Sequence, residues 1–131
     1  MVVASFLVKD LHIDWRKGAR HFMDKLLDGD VASNIGNWQW VAGCGSDAAP
    51  FFRVFNPTLQ LQKFDLHGEY VRRYLPELGE VGGKSWAKIP LADSILDDKA
   101  RRYPSQIVDH NVERKEALRR LQELSADGFA S

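Results

Sequence analysis

Apolar residues recur at helical spacing along much of this chain, and no stretch alternates apolar and polar side chains over a useful strand length. The clearest pattern lies at residues 14–27, where Asp14 is suited to cap the first turn of a helix. The side chains predicted to share its buried face are Trp15, Ala19, Phe22, Met23, Leu26 and Leu27. The pattern predicts an all-α protein.

Further helices are predicted from apolar spacing and from the residues that break helices. They cover residues 2–11, 30–43, 58–63, a segment marked by Tyr70, Val71, Tyr74, Leu75 and Leu78, and residues 112–126 with Leu118, Leu121 and Leu124 on one side. The first begins without a capping residue. Gly29 is suited to the left-handed conformation that closes a helix, and Asp30 to the N-cap of the next one. A short helix is also predicted at 93–102.

Composition excludes several classes of function. The chain has 131 residues, enough for one domain or part of a larger one, and 18 basic against 18 acidic residues, so net charge gives no general attraction to nucleic acid. Its single cysteine excludes an internal disulfide and favours a cytoplasmic location. The apolar start at residues 1–8 is too short for a membrane span. The sequence shows no phosphate loop, nucleophile elbow or metal-ligand spacing.

Polar residues between the second and third predicted helices have two interpretations. From spacing alone, Asp28 and Asp30 are most simply a helix end and a helix cap. Asn34 lies inside the next helix, where an asparagine usually points to solvent. A binding role for these carboxylates and this amide is the alternative that spacing leaves open.

Aromatic residues surround the same region. Trp15 and Trp38 lie on separate predicted helices, and buried tryptophans are by default core residues. Trp40 is two positions from Trp38, so the two rings point to different sides of one helix. Arg53 follows an aromatic pair, where it either contacts a DNA phosphate or forms an ion pair with the core.

Two long motifs resemble the photolyase/cryptochrome family: DGDVASNIGNWQWVAGCGSDAAPFFRVFNP at 28–57 and KFDLHGEYVRRYLPEL at 63–78. The similarity begins at MVVASFLVKDLHIDW, is strongest over 1–78 and returns at YPSQIVDH. Within the family, the pattern is most similar to bacterial photolyases that repair cyclobutane pyrimidine dimers.

The resemblance implies a domain organisation. Residues 1–131 are then a partial FAD-binding helical domain, with a loop-rich part at 79–104 and a C-terminal helix region at 105–131. The family's N-terminal antenna domain and the first part of its flavin pocket have no counterpart here. We therefore expect a fragment or a truncated reading frame, with the missing N-terminal part of a photolyase as a partner.

The resemblance also implies a cofactor site. Asp28, Gly29 and Asp30 match residues that contact FAD, and Asn34 matches the residue beside the reactive nitrogen of the flavin ring. Photolyases keep asparagine there, while plant and animal cryptochromes typically carry aspartate and cysteine respectively. Asn34 therefore favours repair over signalling.

Four other positions match family residues with roles in electron transfer or substrate binding. Trp38 matches the tryptophan nearest the flavin in a relay of three, and Trp15 matches the middle one. Trp40 and Met1 match residues that line the pocket for the flipped dimer. Arg53 is the candidate contact to a DNA phosphate.

The implied activity is light-driven repair of DNA that contains pyrimidine dimers, by a carbon–carbon lyase that needs FAD, no metal and no membrane. Two alternatives stay open at this point. One is a cryptochrome-type flavin light sensor without repair. The other is a truncated, non-enzymatic helical remnant that binds no flavin, which the missing front half favours.

Overall fold

A computed structural model describes residues 1–46, 53–76 and 106–127, and within these ranges the chain is helical and forms no strand. The prediction of an all-α fold is confirmed. The helices are α1 (Val2–Ser5), α2 (Trp15–Lys25), α3 (Val31–Ala42), α4 (Pro57–Phe64), α5 (Glu69–Tyr74) and α6 (His110–Asp127). A wider helical turn, Phe6–Asp10, continues α1 without a break and is called the π-turn below. No described helix is both long enough and apolar enough to cross a membrane.

The chain divides into two compact units, residues 1–55 with 108–131 and residues 56–107. The first unit has a small core where α1, α2 and α3 meet, and α6 packs on the π-turn. The core consists of Ala4, Ala19, Trp38 and Val41, with Leu7, Val8, Trp15, Phe22 and Trp40 packed against it. Because few residues are fully buried, the close contacts of the larger side chains carry much of the packing.

Side-chain caps begin most of the described helices, among them α2, α3 and α4. The Asp14 carboxylate accepts a hydrogen bond from the Arg16 backbone N–H at 2.8 Å, and Asp30 accepts one from Ser33 at 2.7 Å. Asn56 caps α4 in the same way. The predicted caps at Asp14 and Asp30 are present, and each satisfies an N–H group that the first helical turn leaves unpaired.

The prediction that Gly29 closes α2 in the left-handed conformation was wrong. Leu26 ends the helix instead, with an extended backbone at φ −79° and ψ 130° that leads the chain directly into the turn. Among the described glycines, the left-handed ones are Gly43, at φ 77° after α3, and Gly68, at φ 68° before α5. Gly43 thus closes α3 in the left-handed conformation that was predicted for Gly29 at the end of α2.

The predicted apolar face of α2 is only partly buried. Ala19 is buried, and Trp15, Phe22 and Met23 are half-buried, as their spacing predicts. The prediction was wrong at Leu26 and Leu27, which are exposed because α2 ends at Lys25. Two apolar side chains therefore lie at the surface next to the turn that leads into α3.

The first helix follows the prediction for residues 2–11 and has no side-chain cap, but its second half is the π-turn. There the Leu11 N–H donates to the Phe6 carbonyl, and the Ile13 N–H reaches back to the Leu7 carbonyl. His12 then takes a positive φ of 52°, a sparsely populated conformation for a residue other than glycine. Apolar periodicity gave no sign of this wider turn.

The C-terminal helix α6 buries Ala117, while Leu118 and Leu121 are half-buried. Leu124, the last of the three leucines predicted on one side of this helix, is exposed. Glu116 pairs with Arg119 and Arg120. Hydrogen bonds from Arg119 and then Arg120 lower the pKa of Glu116 to about 2.

The second unit contains α4 and α5. The Asp65 carboxylate between them accepts hydrogen bonds from the backbone N–H groups of Tyr70 and Val71, and so caps α5. The predicted helices at 58–63 and around Tyr70 are present. The helix predicted at 93–102 and the loop-rich part at 79–104 lie outside the described residues.

Candidate functional site

The turn between α2 and α3 is acidic and open. Asp28, Gly29 and Asp30 are all exposed there. The hydrogen bond from the Ser33 backbone N–H lowers the pKa of the Asp30 carboxyl group, so its negative charge is favoured at the N-terminus of α3. A Cβ at position 29 would lie 3.3 Å from Cε of Met23, so the backbone passes close to that side chain. The turn thus presents two carboxylates on a closely packed backbone.

Asn34 joins α3 to α2. Its backbone N–H donates to the Asp30 carbonyl at 2.9 Å, and its side-chain Nδ2 donates to the Ala19 carbonyl at 2.8 Å. Because a backbone carbonyl can only accept, the nitrogen of the amide must be the atom that faces Ala19. The general expectation that an asparagine inside a helix points to solvent was wrong here, since this side chain is half-buried and fixed. Its Oδ1 oxygen keeps its acceptor capacity.

Trp38 is the large side chain at the centre of the core, with 2% of its surface exposed. Its ring lies on the backbone of α2 at Gly18, where a Cβ would come within 2.3 Å of Cη2 of the indole. Phe22 meets the ring edge to face, with 5.0 Å between centroids and 83° between planes. Sequence reasoning missed Gly18, and the available signal was a glycine inside an otherwise regular helical pattern.

Trp15 and Trp40 pack against the same core as Trp38. Trp15 is half-buried at the start of α2, and the Arg16 guanidinium lies 5.0 Å from its ring centre. Trp40 is half-buried and, with Gly45 and Ser46, lines a cavity of about 300 Å³. The two tryptophans of α3 therefore have different environments, as their spacing predicts.

Met1 and Arg53, the other candidate substrate residues, lie in the same unit. Met1 is exposed at the start of α1. Arg53 is exposed, and its backbone carbonyl accepts a hydrogen bond from the Lys9 ammonium group. Within the part of the chain that the structure describes, Arg53 forms none of the ion pairs, so its alternative role as a partner of a core carboxylate finds no support there.

Two long-range polar pairs attach α6 to the first helix, and sequence reasoning missed both. Asp10, fully buried in the π-turn, is hydrogen-bonded to Nδ1 of His110, and Nε2 of His12 lies 2.8 Å from Oε2 of Glu113. Among the residues that the structure describes, the second carboxylate oxygen of Asp10 and Nε2 of His110 are buried and have no hydrogen-bond partner. The available signal was the charged Lys9-Asp10 step directly after an apolar run.

The first unit combines an exposed acidic turn, a fixed asparagine and a buried tryptophan. Within the described ranges, no group of three or more His, Cys, Asp or Glu side chains is arranged to hold a metal ion. Residues 1–123 match the family described as the FAD binding domain of DNA photolyase. The chain belongs to this family.

Known relatives support the same assignment. The deoxyribodipyrimidine photo-lyase of Escherichia coli strain K12 is 52% identical over 122 residues, which are 90% of this chain and 25% of that protein. A bacterial class III photolyase from Agrobacterium tumefaciens has a similar fold, with a TM-score of 0.80, 46% identity, and coverage of 95% of this chain and 27% of that one. The chain thus spans about a quarter of the length of these relatives.

A cryptochrome is similar as well. The Synechocystis sp. PCC6803 cryptochrome matches with a TM-score of 0.76 and 40% identity over 89% of this chain and 25% of that one. The fold therefore includes both repair enzymes and cryptochromes, and separating them depends on individual side chains.

The residues at the α2–α3 turn fit one wall of a flavin site. The Asp28 and Asp30 carboxylates and Oδ1 of Asn34 are hydrogen-bond acceptors of the kind that the hydroxyl and ring N–H groups of such a cofactor would need. Apolar side chains beside them are unusually exposed, with Leu27 fully exposed, Val31 at 58% and Ile35 at 39%. An exposed apolar surface next to fixed acceptors is suited to cover the flat rings of FAD.

Proposed function

We propose that this chain supplies one wall of the FAD site in a photolyase that splits cyclobutane pyrimidine dimers in DNA. The observation that carries the proposal is the hydrogen bond from Asn34 to Ala19. It fixes the amide nitrogen on α2 and leaves the amide oxygen as an acceptor at the position where the family's repair enzymes keep asparagine. Neither the aspartate nor the cysteine of plant and animal cryptochromes offers a neutral amide there.

The remaining residues divide into three groups with separate tasks. Asp28, Gly29 and Asp30 hold the cofactor through carboxylate acceptors and a close backbone approach. When bound, reduced and excited by blue light, FAD supplies one electron to the dimer and receives it back after the cyclobutane ring has opened. No side chain of this chain acts as a nucleophile or general base in that scheme.

Trp38 and Trp15 are the proposed electron relay toward the flavin. Both are aromatic and both pack in one core. Trp38 is shielded from solvent and is in contact with Gly18 and Phe22. A rigid, buried indole needs little reorganisation when its charge changes, which suits a relay.

A cytoplasmic location also stays a prediction.

Trp40, Met1 and Arg53 are the proposed contacts to damaged DNA. Trp40 lines a cavity with Ser46 and Gly45, so its ring is available for stacking on a flipped base, an interaction worth about 1–3 kcal/mol. Exposed Arg53 is available to a phosphate. These three residues form the substrate side of the site, and the acidic turn forms the cofactor side.

Two other functions stay as alternatives. The similarity to a cryptochrome structure favours a light sensor, and the other alternative is a helical remnant without a cofactor. We expect the 131-residue chain alone to hold FAD weakly. Loss of several contacts of roughly 1.5–3 kcal/mol each lowers affinity on the order of a thousandfold or more.

A hybrid enzyme separates the three functions. The matching quarter of the E. coli photolyase is replaced by this chain, and FAD content and blue-light repair of a thymine-dimer oligonucleotide are measured. Unaltered E. coli photolyase and a version that lacks this quarter are the controls. We expect near one FAD per chain and repair in the light only. FAD without repair would indicate a sensor, and a hybrid that folds without FAD would indicate a remnant.

A further inference from the structure

The backbone that carries Arg53 is attached to the first helix by two buried polar side chains. The Phe55 N–H donates to Oγ of Ser5 at 3.1 Å, and the Lys9 ammonium group donates to the Arg53 carbonyl. Ser5 is fully buried and Lys9 is only 5% exposed. Residues 53–55 belong to no helix, so these side chains satisfy backbone groups that secondary structure leaves unpaired.

The two anchors hold neighbouring backbone groups. Ser5 and Lys9 are four residues apart in the first helix and its continuation, the π-turn. The Phe55 N–H and the Arg53 carbonyl, which they bond, flank a single residue, Val54. Both ends of this short segment are therefore attached to the same helix. The π-turn continues the helix through Lys9, and such wide turns are frequent at functional sites.

Burying the charged side chain of Lys9 at this position costs free energy. Burial lowers its pKa to about 8, because desolvation disfavours the ammonium form. A methionine of similar length would fill the space without that cost but could not bond the Arg53 carbonyl. The Arg53 side chain, in contrast, is exposed. The arrangement combines a fixed backbone with a guanidinium that is open to a ligand, and such preorganisation strengthens binding.

We propose that Lys9 and Ser5 are positioning residues that set where Arg53 meets a phosphate of dimer-containing DNA. The inference rests on the proposed function, because it requires Arg53 to contact DNA. Lys9 acts through the Arg53 backbone, and Ser5 limits rotation of that backbone at Phe55.

The attachment is tested first on the 131-residue chain by amide hydrogen exchange. Ser5→Ala removes the acceptor for the Phe55 N–H, and Lys9→Met releases the neighbouring carbonyl. Both variants are expected to raise the exchange rate at Phe55 about tenfold or more, while the exposed-lysine control Lys17→Met leaves it unchanged. Unchanged exchange at Phe55 in both folded variants would overturn the proposal.

The functional role is tested in the hybrid enzyme by its affinity for a duplex that contains a thymine dimer. Lys9→Met is expected to weaken binding about tenfold, the order expected for loss of one charge-assisted contact. The same change in an Arg53→Ala background is expected to cause no further loss, and flavin photoreduction stays at the parent rate. Ser5→Ala is the milder second variant, and Lys17→Met is again the control.

The outcomes distinguish this inference from the function on which it rests. If Lys9→Met and Arg53→Ala weaken binding additively, Lys9 has only a general structural role and the inference is wrong. If Arg53→Ala alone weakens binding and neither Lys9→Met nor Ser5→Ala does, the inference fails while the proposed function stands. If the hybrid does not bind dimer-containing DNA at all, both fail.

Discussion

The indole ring of Trp38 occupies the space that a side chain at position 18 would need. A Cβ on Gly18 would lie 2.3 Å from Cη2 and 2.5 Å from Cζ3 of the ring, much closer than nonbonded carbons approach. The ring therefore rests directly on the backbone of α2. This contact fixes the position of Trp38 relative to the helix that carries Trp15, and so fixes the geometry of the proposed relay.

Gly18→Ala should destabilise the chain by about 1–3 kcal/mol, because the new methyl group collides with a rigid, buried ring. Gly36→Ala is the matched control, since a Cβ at position 36 has no neighbour within 4 Å. Alanine is the better helix former, so the control should be stabilised by roughly 0.5–1 kcal/mol. Urea unfolding followed by circular dichroism measures both. Equal stabilisation by the two substitutions would show that Trp38 does not rest on Gly18.

Asp10→Ala should destabilise the chain by about 3 kcal/mol or more. It removes the hydrogen-bond partner of Nδ1 of the largely buried His110, whose Nε2 has none among the described residues, and breaking one side of a buried pair is strongly unfavourable. Asp24→Ala, an exposed carboxylate on α2, is the control and should change stability by less than about 0.5 kcal/mol. The measurement is again denaturant unfolding. A loss at Asp10 no larger than that at Asp24 would mean that the pair does not hold α6 on the π-turn.

The helices and their caps could be predicted from the sequence because both depend on neighbouring residues. Asp14 and Asp30 precede apolar runs, and a carboxylate there satisfies N–H groups only two or three residues away. The Asp10–His110 pair could not be predicted in this way. Its partners are 100 residues apart, and no local period encodes which distant side chain meets a buried carboxylate.

The same reason explains what was found and missed at the candidate site. Resemblance located Asp28, Asn34 and Trp38 from continuous motifs. The role of Gly18 depends on a ring from another helix, and the link from Lys9 to Arg53 spans 44 residues. The end of α2 was also misassigned to Gly29, because Gly29 and Gly43 both follow helical patterns and only the backbone geometry shows that Gly43, and not Gly29, is left-handed.

The stability of the chain should rise relative to Lys9→Met as the pH increases from about 8 to 10.5. The pKa of Lys9 is about 8 in the folded chain and near 10.5 when unfolded, so between these values the unfolded state binds more protons. The unfolding free energy of the parent minus that of the variant should therefore increase by about 2 kcal/mol over this window. The measurement is urea unfolding at pH 7.5 and 10 for each protein.

Lys17→Met is the control for this titration, because Lys17 is exposed on α2. Its unfolding free energy relative to the parent should stay nearly constant across the same pH range. If the unfolding free energy of Lys9→Met relative to the parent also stayed constant with pH, burial would not disfavour the charged form of Lys9.

In the proposed function, α3 contributes a tryptophan to each side of one site. Trp38 lies on the path that brings electrons to the flavin, and Trp40 lies on the substrate side. In the hybrid, Trp38→Phe should abolish photoreduction of oxidised flavin yet leave repair by chemically reduced enzyme largely intact. Phenylalanine keeps most of the buried aromatic area, so the fold should survive. Trp40→Phe should do the opposite, weakening binding of dimer-containing DNA while photoreduction proceeds.

The most direct measurement is flavin absorbance under blue light beside repair of a thymine-dimer oligonucleotide, made on the same two variants. We expect Trp38→Phe to lose photoreduction alone and Trp40→Phe to lose substrate binding alone. Normal photoreduction in a folded, flavin-loaded Trp38→Phe enzyme, or loss of repair as complete as its loss of photoreduction, would contradict this expectation.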